Sequence, residues 1–550
     1  SIYQNSELYS RIQQVTAPED EESQRLHDEL KRRFARRGAD LDAAGKTRLQ
    51  EINQRLSELS ELFGRNLLAD TKKLAVELTR EELDGLSEAQ IEAYQDGERF
   101  VVPIELPTTQ SLQAELENSG ARHKLFDASR ARGRDTNADI VAESVKLRLE
   151  RAKLLGFDSH ADYVIAEETA GNAAAARQLI ADLAPAAAAN AEAERKLASE
   201  LAGEDLDGAD WPYWQAKRRE QELGIDEAEI RKYFPLEQVL TDGVFYAANL
   251  LYGITVEKRE DLNGYRDDVD VWEVKEEDGT GIGLLLTDYN ARSSKRGGAW
   301  MSSFVDQSHL AGTKPVVVNV MSITSNLLTI DEVTTLFHEF GHALHGLLSD
   351  VRYPSNSGTN VPRDWVEFPS QINENYAFAP EIARNYARHV DTGEVISDEQ
   401  LAALKASRQF GQGFLTAEYL AASAIDLAWH SITEDTPSDI QTFEEEALRE
   451  VGLDIDGLEP RYRSTWFNHI FAGGYSAGYY SYLWAEALDA DGYQLVEQEG
   501  INRDTGAKFR ETILSKGSSR DYAEAYRAFR GRDKDTRPLL ERRGLAGSDV

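Results

Sequence analysis

The run LFHEFGHALHG at 336–346 places His338, Glu339 and His342 in an H-E-x-x-H spacing. Two residues four apart lie one above the other on the same face of a helix. Both imidazoles can therefore aim a nitrogen at one metal ion. Glu339 sits about 100° around the same turn, close enough to reach a water at that metal. The chemistry this spacing predicts is zinc-assisted hydrolysis. Val333, Leu336, Phe337, Phe340, Leu344, Leu347 and Leu348 recur at helical spacing and predict a buried helix. Two histidines and a glutamate on such a helix need partners, because unpaired polar groups are costly to bury. One metal ion supplies them. His345 shares the ligand face one turn farther along and reads as a core or supporting residue, not a ligand.

A catalytic zinc needs a third protein ligand and an open position. The segment RDWVEFPSQINENYAF at 363–378 offers it. Glu367 follows His342 by 25 residues, enough for a polar loop (Ser349 to Asn360) and a returning helix. Glu374, two turns farther along that helix, is placed to orient a ligand histidine. A plain surface carboxylate is the alternative reading for Glu374.

The elements that must carry these residues are mostly helices. Ser23 to Leu83 reads as long amphipathic helices with few breakers, and Arg122 to Tyr163 as helix again. Phe100 to Leu106 is a short apolar stretch, one turn or a strand. Ala173 to Leu201 reads as an Ala-rich helical pair interrupted at Pro185. The aromatic and basic patch WPYWQAKRR at 211–219 reads as helix packing near a cleft. Strands are expected at Ile254 to Val256, Val269 to Val274, Ile282 to Leu286 and Lys314 to Met321, with KRGGAW at 295–300 as a loop. This predicts a small sheet just before the metal helix, whose exposed edge can hold an extended peptide, with a purely structural hairpin as the alternative. After residue 331 the chain returns to helix. The expected fold is mainly α, helical over 1–252 and carrying the sheet and the metal site within 253–550, and the chain is long enough for one large core or two lobes.

Composition sets the outer limits. The chain has 550 residues, 41% of them hydrophobic, and a formal net charge of −36. Such an acidic surface argues against nucleic acid and anionic membranes as partners. Lys supplies 18 of the 61 basic residues, which suits a salt-tolerant source and equally an ordinary acidic enzyme. With no cysteine, disulfides, thiolate ligands and a Cys nucleophile are excluded. No apolar run is long enough to predict a membrane span. The opening SIYQNSELYS has neither Met nor a signal pattern, so Ser1 is not expected to be the native start.

HEFGHALH followed by WVEFPSQINEN resembles the thimet-oligopeptidase family of zinc metallopeptidases. SGTNVPRDWVEFPSQINENYAF, DYNARSSKRGGAWMSSF, PRYRSTWFNHIFAGGYSAGYYSYLW and LLGFDSHADYV resemble its peptidyl-dipeptidase branch, and the likeness runs along essentially the whole chain. The resemblance implies a helical fold with a deep channel between two lobes, admitting short peptides. It implies one zinc ion held by His338, His342 and Glu367, with Glu339 as general base. Tyr475, Tyr482 and His469 fall on positions that contact the substrate carbonyl or its neighbours. Tyr479, Gly473 and Gly474 belong to the same substrate-binding loop, whose glycines at 473, 474 and 478 would let it swing. The branch releases dipeptides from a free C-terminus, and endo-acting members of the family are the alternative. A peptide-binding helical scaffold with a vestigial metal motif is a further alternative, which the intact motif disfavours.

Dipeptide release also requires a cation for the substrate's terminal carboxylate. Lys295, Arg296 and Arg461 are candidates by charge. A monomer in the cytoplasm is expected, with the periplasm as the alternative because a signal would precede Ser1. Family members carry a further helical segment upstream of the position matching Ser1, and thiol regulation known in some relatives is ruled out by the absence of Cys.

Overall fold

The computed structural model describes residues 2–16, 18–295, 297–437 and 439–545. It is mainly helical, as expected. Arg296 lies outside the described residues.

Two long helices lie near the start of the chain, Glu21–Arg36 and Ala43–Lys73. Each begins at an Asp whose carboxylate accepts from a backbone amide of the first turn, Asp20 from Ser23 and Asp42 from Gly45. The apolar stretch near Phe100 is a strand. Strands β1 (Val76–Leu78), β2 (Gln95–Asp96) and β3 (Arg99–Val102) form a small antiparallel sheet in the order β1-β3-β2. Strands this short leave little pattern for a sequence reading.

The Ala-rich stretch is not a helical pair. It is one helix, Ala173–Ala202, that runs straight through Pro185. The reason lies in which face carries the proline. Pro185 and Ala181, whose carbonyl loses its partner, are both exposed, so water can satisfy the freed oxygen. The opposite face packs against the helix Gln412–His430 so closely that a Cβ on Gly413 would lie 2.5 Å from Ala191 N. The buried alanine face outweighs the proline.

The expected small sheet is present with one strand more. β4 (Thr255–Lys258), β5 (Asp270–Lys275), β6 (Gly281–Asn290), β7 (Trp300–Val305) and β8 (Val316–Ile323) stand in the order β4-β5-β6-β8-β7. All neighbours are antiparallel except β6 and β8. β7 begins at the end of the predicted loop. Ser302, Ser303 and Phe304 are exposed, so it lacks the alternation that marks a strand. It forms an edge beside the helix Ile330–Leu347.

That helix is the centre of the molecule. A single apolar cluster extends from Leu59 and Phe63 through Phe337, Phe340 and Leu344 of this helix to Phe529 and Leu539. The helices Arg363–Glu374, Gln412–His430 and Ser481–Glu499 contribute to the same cluster. Among the described residues no helix is long and apolar enough to cross a membrane.

Candidate active site

The helix Ile330–Leu347 begins with a reciprocal cap. Thr329 accepts from Glu332 N, and the Glu332 side chain returns to Thr329 N. Three turns on, Gly341 sets the distance to the next helix, Arg363–Glu374. A Cβ on Gly341 would stand 2.7 Å from Ser370 Cα and 2.8 Å from Pro369 O, so only glycine allows this approach. Two buried asparagines then clamp the motif backbone from either side. Asn319 of β8 donates to Glu339 O at 3.0 Å, and Asn373 donates to Phe337 O at 2.6 Å.

This close crossing brings Glu367 onto both motif histidines. Its Oε2 lies 3.1 Å from His338 Nε2 and 3.3 Å from His342 Nε2, and it accepts from Ser370 Oγ at 2.9 Å. The three donor atoms lie within 4.8 Å of one another. Ligand atoms around a tetrahedral zinc stand about 3.3 Å apart, so two imidazoles and a carboxylate in this arrangement fit that ion and leave one position open. Glu374 accepts at 3.2 Å from Nδ1 of His338. That bond turns Nε2 into the free, metal-facing nitrogen. Burial disfavours charge on His338, yet hydrogen bonds to Glu367 and Glu374 hold its pKa well above the ordinary value. Burial likewise opposes charge on Glu367, and hydrogen bonds to His338 and His342 hold its carboxyl far below the usual range.

Glu339 lies beside this triad with only 6% of its side chain exposed, its Oε1 4.0 Å from His338 Nε2. Its Oε2 is buried and has no partner among the described residues. Burial raises the pKa of this carboxyl, with His338 and His342 pulling the other way. An unpaired oxygen on a carboxyl shifted towards neutrality is the state expected of a proton acceptor. His345 is fully buried, and burial depresses its pKa to about 3, so it is a neutral core residue.

A cavity of about 1210 Å³ reaches the site at Glu367. Glu367, Arg363, Gly474, Tyr475 and Tyr482 line one side, and the arginines of the Glu21–Arg36 helix line another. Tyr482 donates to the Tyr475 hydroxyl at 3.2 Å, and the two rings stack with centroids 6.1 Å apart. Burial raises the Tyr482 pKa, so its hydroxyl keeps its proton at neutral pH. Tyr479 and His469 do not line the cavity. Tyr479 is buried, and His469 packs edge-on against Tyr475 and Tyr479 at 5.8 and 5.7 Å. Burial, reinforced by Arg461, lowers the His469 pKa. Gly473 is part of the same tight turn, its amide donating to Asn468 O at 2.6 Å.

The loop carrying these tyrosines is held by a residue the sequence did not single out. Asp426, fully buried on the helix Gln412–His430, accepts from Ala477 N at 2.8 Å and Tyr479 N at 3.1 Å. Behind it, His430 Nδ1 lies 2.9 Å from Asp426, and His430 Nε2 accepts from Arg148 at 2.9 Å. The left-handed residue of the loop is Ala477, φ 54°, not one of its glycines.

Two of the cations proposed for a substrate carboxylate are already engaged. The Lys295 side chain is buried, its ammonium donating to Asp288 Oδ1 and Asp288 O at 2.9 Å and to Asn290 O at 2.8 Å. Arg461 pairs with Glu418 at 3.2 Å behind the tyrosines. Arg363, one turn before Glu367 on the same helix face, lines the cavity.

Residues 112–545 match the profile of peptidase family M3. The chain belongs to that family. It is similar to dipeptidyl carboxypeptidase of Salmonella typhimurium (strain LT2), 40% identical over 576 residues that cover 99% of this chain and 84% of that protein. Oligopeptidase A of Escherichia coli (strain K12) is 33% identical over 553 residues, 94% of this chain and 81% of its own. In sequence this family member is a metallopeptidase of the peptidyl-dipeptidase type. The solved structure of PZ peptidase A with inhibitor 2 shares the fold, at a TM-score of 0.55 and 15% identity over 99% of this chain and 84% of that one.

Proposed function

We propose that this peptidase uses one zinc ion to hydrolyse short peptides and releases dipeptides from a free C-terminus. The observation that carries the reading is the convergence of His338, His342 and Glu367 beside the unpaired Oε2 of Glu339, on a cavity faced by two tyrosine hydroxyls. The similarity to dipeptidyl carboxypeptidase supports the C-terminal dipeptide.

His338, His342 and Glu367 hold the zinc, and Glu374 orients His338. Zinc in such a site supplies Lewis acidity, lowering the pKa of a water and polarising a carbonyl. Glu339 takes the proton from the attacking water on its unpaired oxygen and delivers it to the leaving amine nitrogen. Tyr482 is the first candidate to donate a hydrogen bond to the oxygen that becomes negative, and Tyr475 the second. His469 and Tyr479 support that pair from behind, and Gly473 and Gly474 shape the loop beside the substrate. The exposed edge of β7 can pair with an extended substrate backbone. Residues 1–252 and 253–550 form the two walls of the cleft, and the enzyme works as a cytoplasmic monomer.

The test is mass spectrometry of products from a free-acid nonapeptide and its C-terminal amide, with and without a zinc chelator. Stepwise loss of dipeptides from the free acid alone, abolished by chelation, is the expected result. Internal cuts in both peptides would favour the second reading, an endo-acting oligopeptidase, which the likeness to oligopeptidase A supports. No cleavage in the presence of bound zinc would sink both.

A further inference from the structure

Of the cations on the cavity wall, most have a partner. Arg36 pairs with Glu167 at 2.8 Å, Arg33 with Glu29 at 3.1 Å, and Arg25 donates to Ser518 O at 3.1 Å. Arg37 and Arg363 form no ion pair with a carboxylate among the described residues; Arg37 lies over the Tyr3 ring at 3.8 Å, and of the two it is Arg363 that adjoins the tyrosine loop. Its guanidinium lies over the Tyr475 ring, 3.8 Å from the centroid, and Nη1 donates to Gly474 O at 2.6 Å. One of five N–H donors is thereby spent, and no acceptor among the described residues takes those on Nη2 and Nε.

The loop is shaped to receive this group. A Cβ on Gly478 would stand 3.2 Å from Arg363 Nη1, and one on Gly474 would stand 3.6 Å from Nη2. These glycines let the guanidinium lie flat against the loop, fixed by a ring on one side and a carbonyl on the other. The neighbouring acid forms no ion pair with it among the described residues: Glu168 Oε2 accepts from Asp364 N at 3.1 Å, and burial together with the nearby Asp364 raises the pKa of the Glu168 carboxyl while Arg363 pulls it the other way.

We propose that Arg363 is the residue that binds the C-terminal carboxylate of the substrate and so measures off two residues from the cut. The proposal rests on the dipeptide-release reading. Two residues of extended chain span about 7 Å, and Arg363 and Glu367, one helical turn apart on the same helix face, line one cavity. Arginine's planar fork suits a carboxylate, and a fork already held by Tyr475 and Gly474 loses little freedom on binding.

The experiment compares inhibition of peptide hydrolysis by a dipeptide and by its C-terminal amide, in the zinc-loaded wild type, Arg363→Gln and Arg363→Lys. The wild type should bind the free dipeptide roughly 10- to 100-fold more tightly than the amide, the range of a charge-assisted hydrogen-bonded pair. Arg363→Gln should abolish that preference by weakening only the acid, with zinc content and Tm unchanged. Arg363→Lys, which keeps the charge and loses the fork, should fall between. If Arg363→Gln keeps the preference and merely lowers kcat, Arg363 positions Tyr475 instead and the proposal fails. If the wild type itself shows no preference and cuts amidated peptides internally, the dipeptide-release reading has failed first and takes the proposal with it.

Discussion

The metal side of the cavity and the tyrosine side hold their reactive groups in different ways. On the metal side the groups hold one another. Glu367 touches both histidines, Glu374 holds His338, and Gly341 lets the two helices come close enough for all of it. On the tyrosine side the two hydroxyls have, among the described residues, no hydrogen-bond partner but each other, and Tyr482 is 38% exposed. Their order comes from behind, where Asp426 pins the loop amides and is itself backed by His430 and Arg148. A charged ligand set can organise itself around one ion. A pair of neutral hydroxyls that must meet a passing substrate needs a rigid backbone instead.

If the metal side is the chemical half, Glu339→Gln should show the largest effect. The amide keeps the shape and cannot take a proton, so kcat should fall about 10²- to 10⁴-fold. Zinc content measured by atomic emission should stay at one per chain. Activity close to wild type would remove Glu339 from the mechanism and leave the tyrosine side as the place to look for a base.

Asp426→Ala tests whether the two sides are separable. It removes a buried acceptor from two loop amides and from His430, at a cost of about 3–5 kcal/mol in stability, readable by denaturant titration. Peptidase activity should fall while the remaining folded protein still binds zinc at full stoichiometry. Loss of zinc in step with activity would mean that the loop and the ligand helices form one unit and that the distinction drawn here is false.

Glu374→Gln makes the opposite cut. An amide can still accept from His338 Nδ1, but it no longer brings a charge. Outer carboxylates of this kind contribute about 10- to 100-fold to metal affinity. Competition with a chelating dye should show zinc binding weakened by that factor. The preference for a free C-terminus, which belongs to the other side, should not change.

The same contrast explains what the sequence made readable. His338, Glu339 and His342 are a local pattern on one helix, and Glu367 and Glu374 follow from one short return segment. That these side chains would converge was therefore legible, apart from Gly341 and the clamping asparagines, whose roles exist only once two helices touch. The tyrosines were located by resemblance, and their support was not. Asp426, His430 and Arg148 lie far from residue 477 in sequence, and a buried Asp on an Ala-rich helix carries no spacing signal. The continuous helix through Pro185 was missed because local propensity says nothing about which face a neighbour covers. β7 was missed because an edge strand with exposed serines lacks the alternation that betrays a strand.

The smallest expected effect concerns pH, and it separates the two sides again. Behind the tyrosines, Glu418 is buried and its carboxyl is pushed up to about 7 from its ordinary 4.5, burial raising it and Arg461 pulling it down. The native state thus holds this proton more tightly than the unfolded chain does. The group's contribution to stability is complete below about pH 4.5 and is lost as pH rises through about 7. Glu418→Gln removes the titration but keeps the shape and a polar group facing Arg461. The difference in Tm between wild type and variant should therefore move against the wild type as pH climbs through that window. At the metal side no variant of Glu374 should reproduce this trend with zinc bound, because the ion fixes the protonation of its ligands. A Tm difference that stays flat would mean that Arg461 keeps Glu418 ionised throughout, and the tyrosine side would then be backed by a permanent ion pair instead of a group that releases a proton near neutrality.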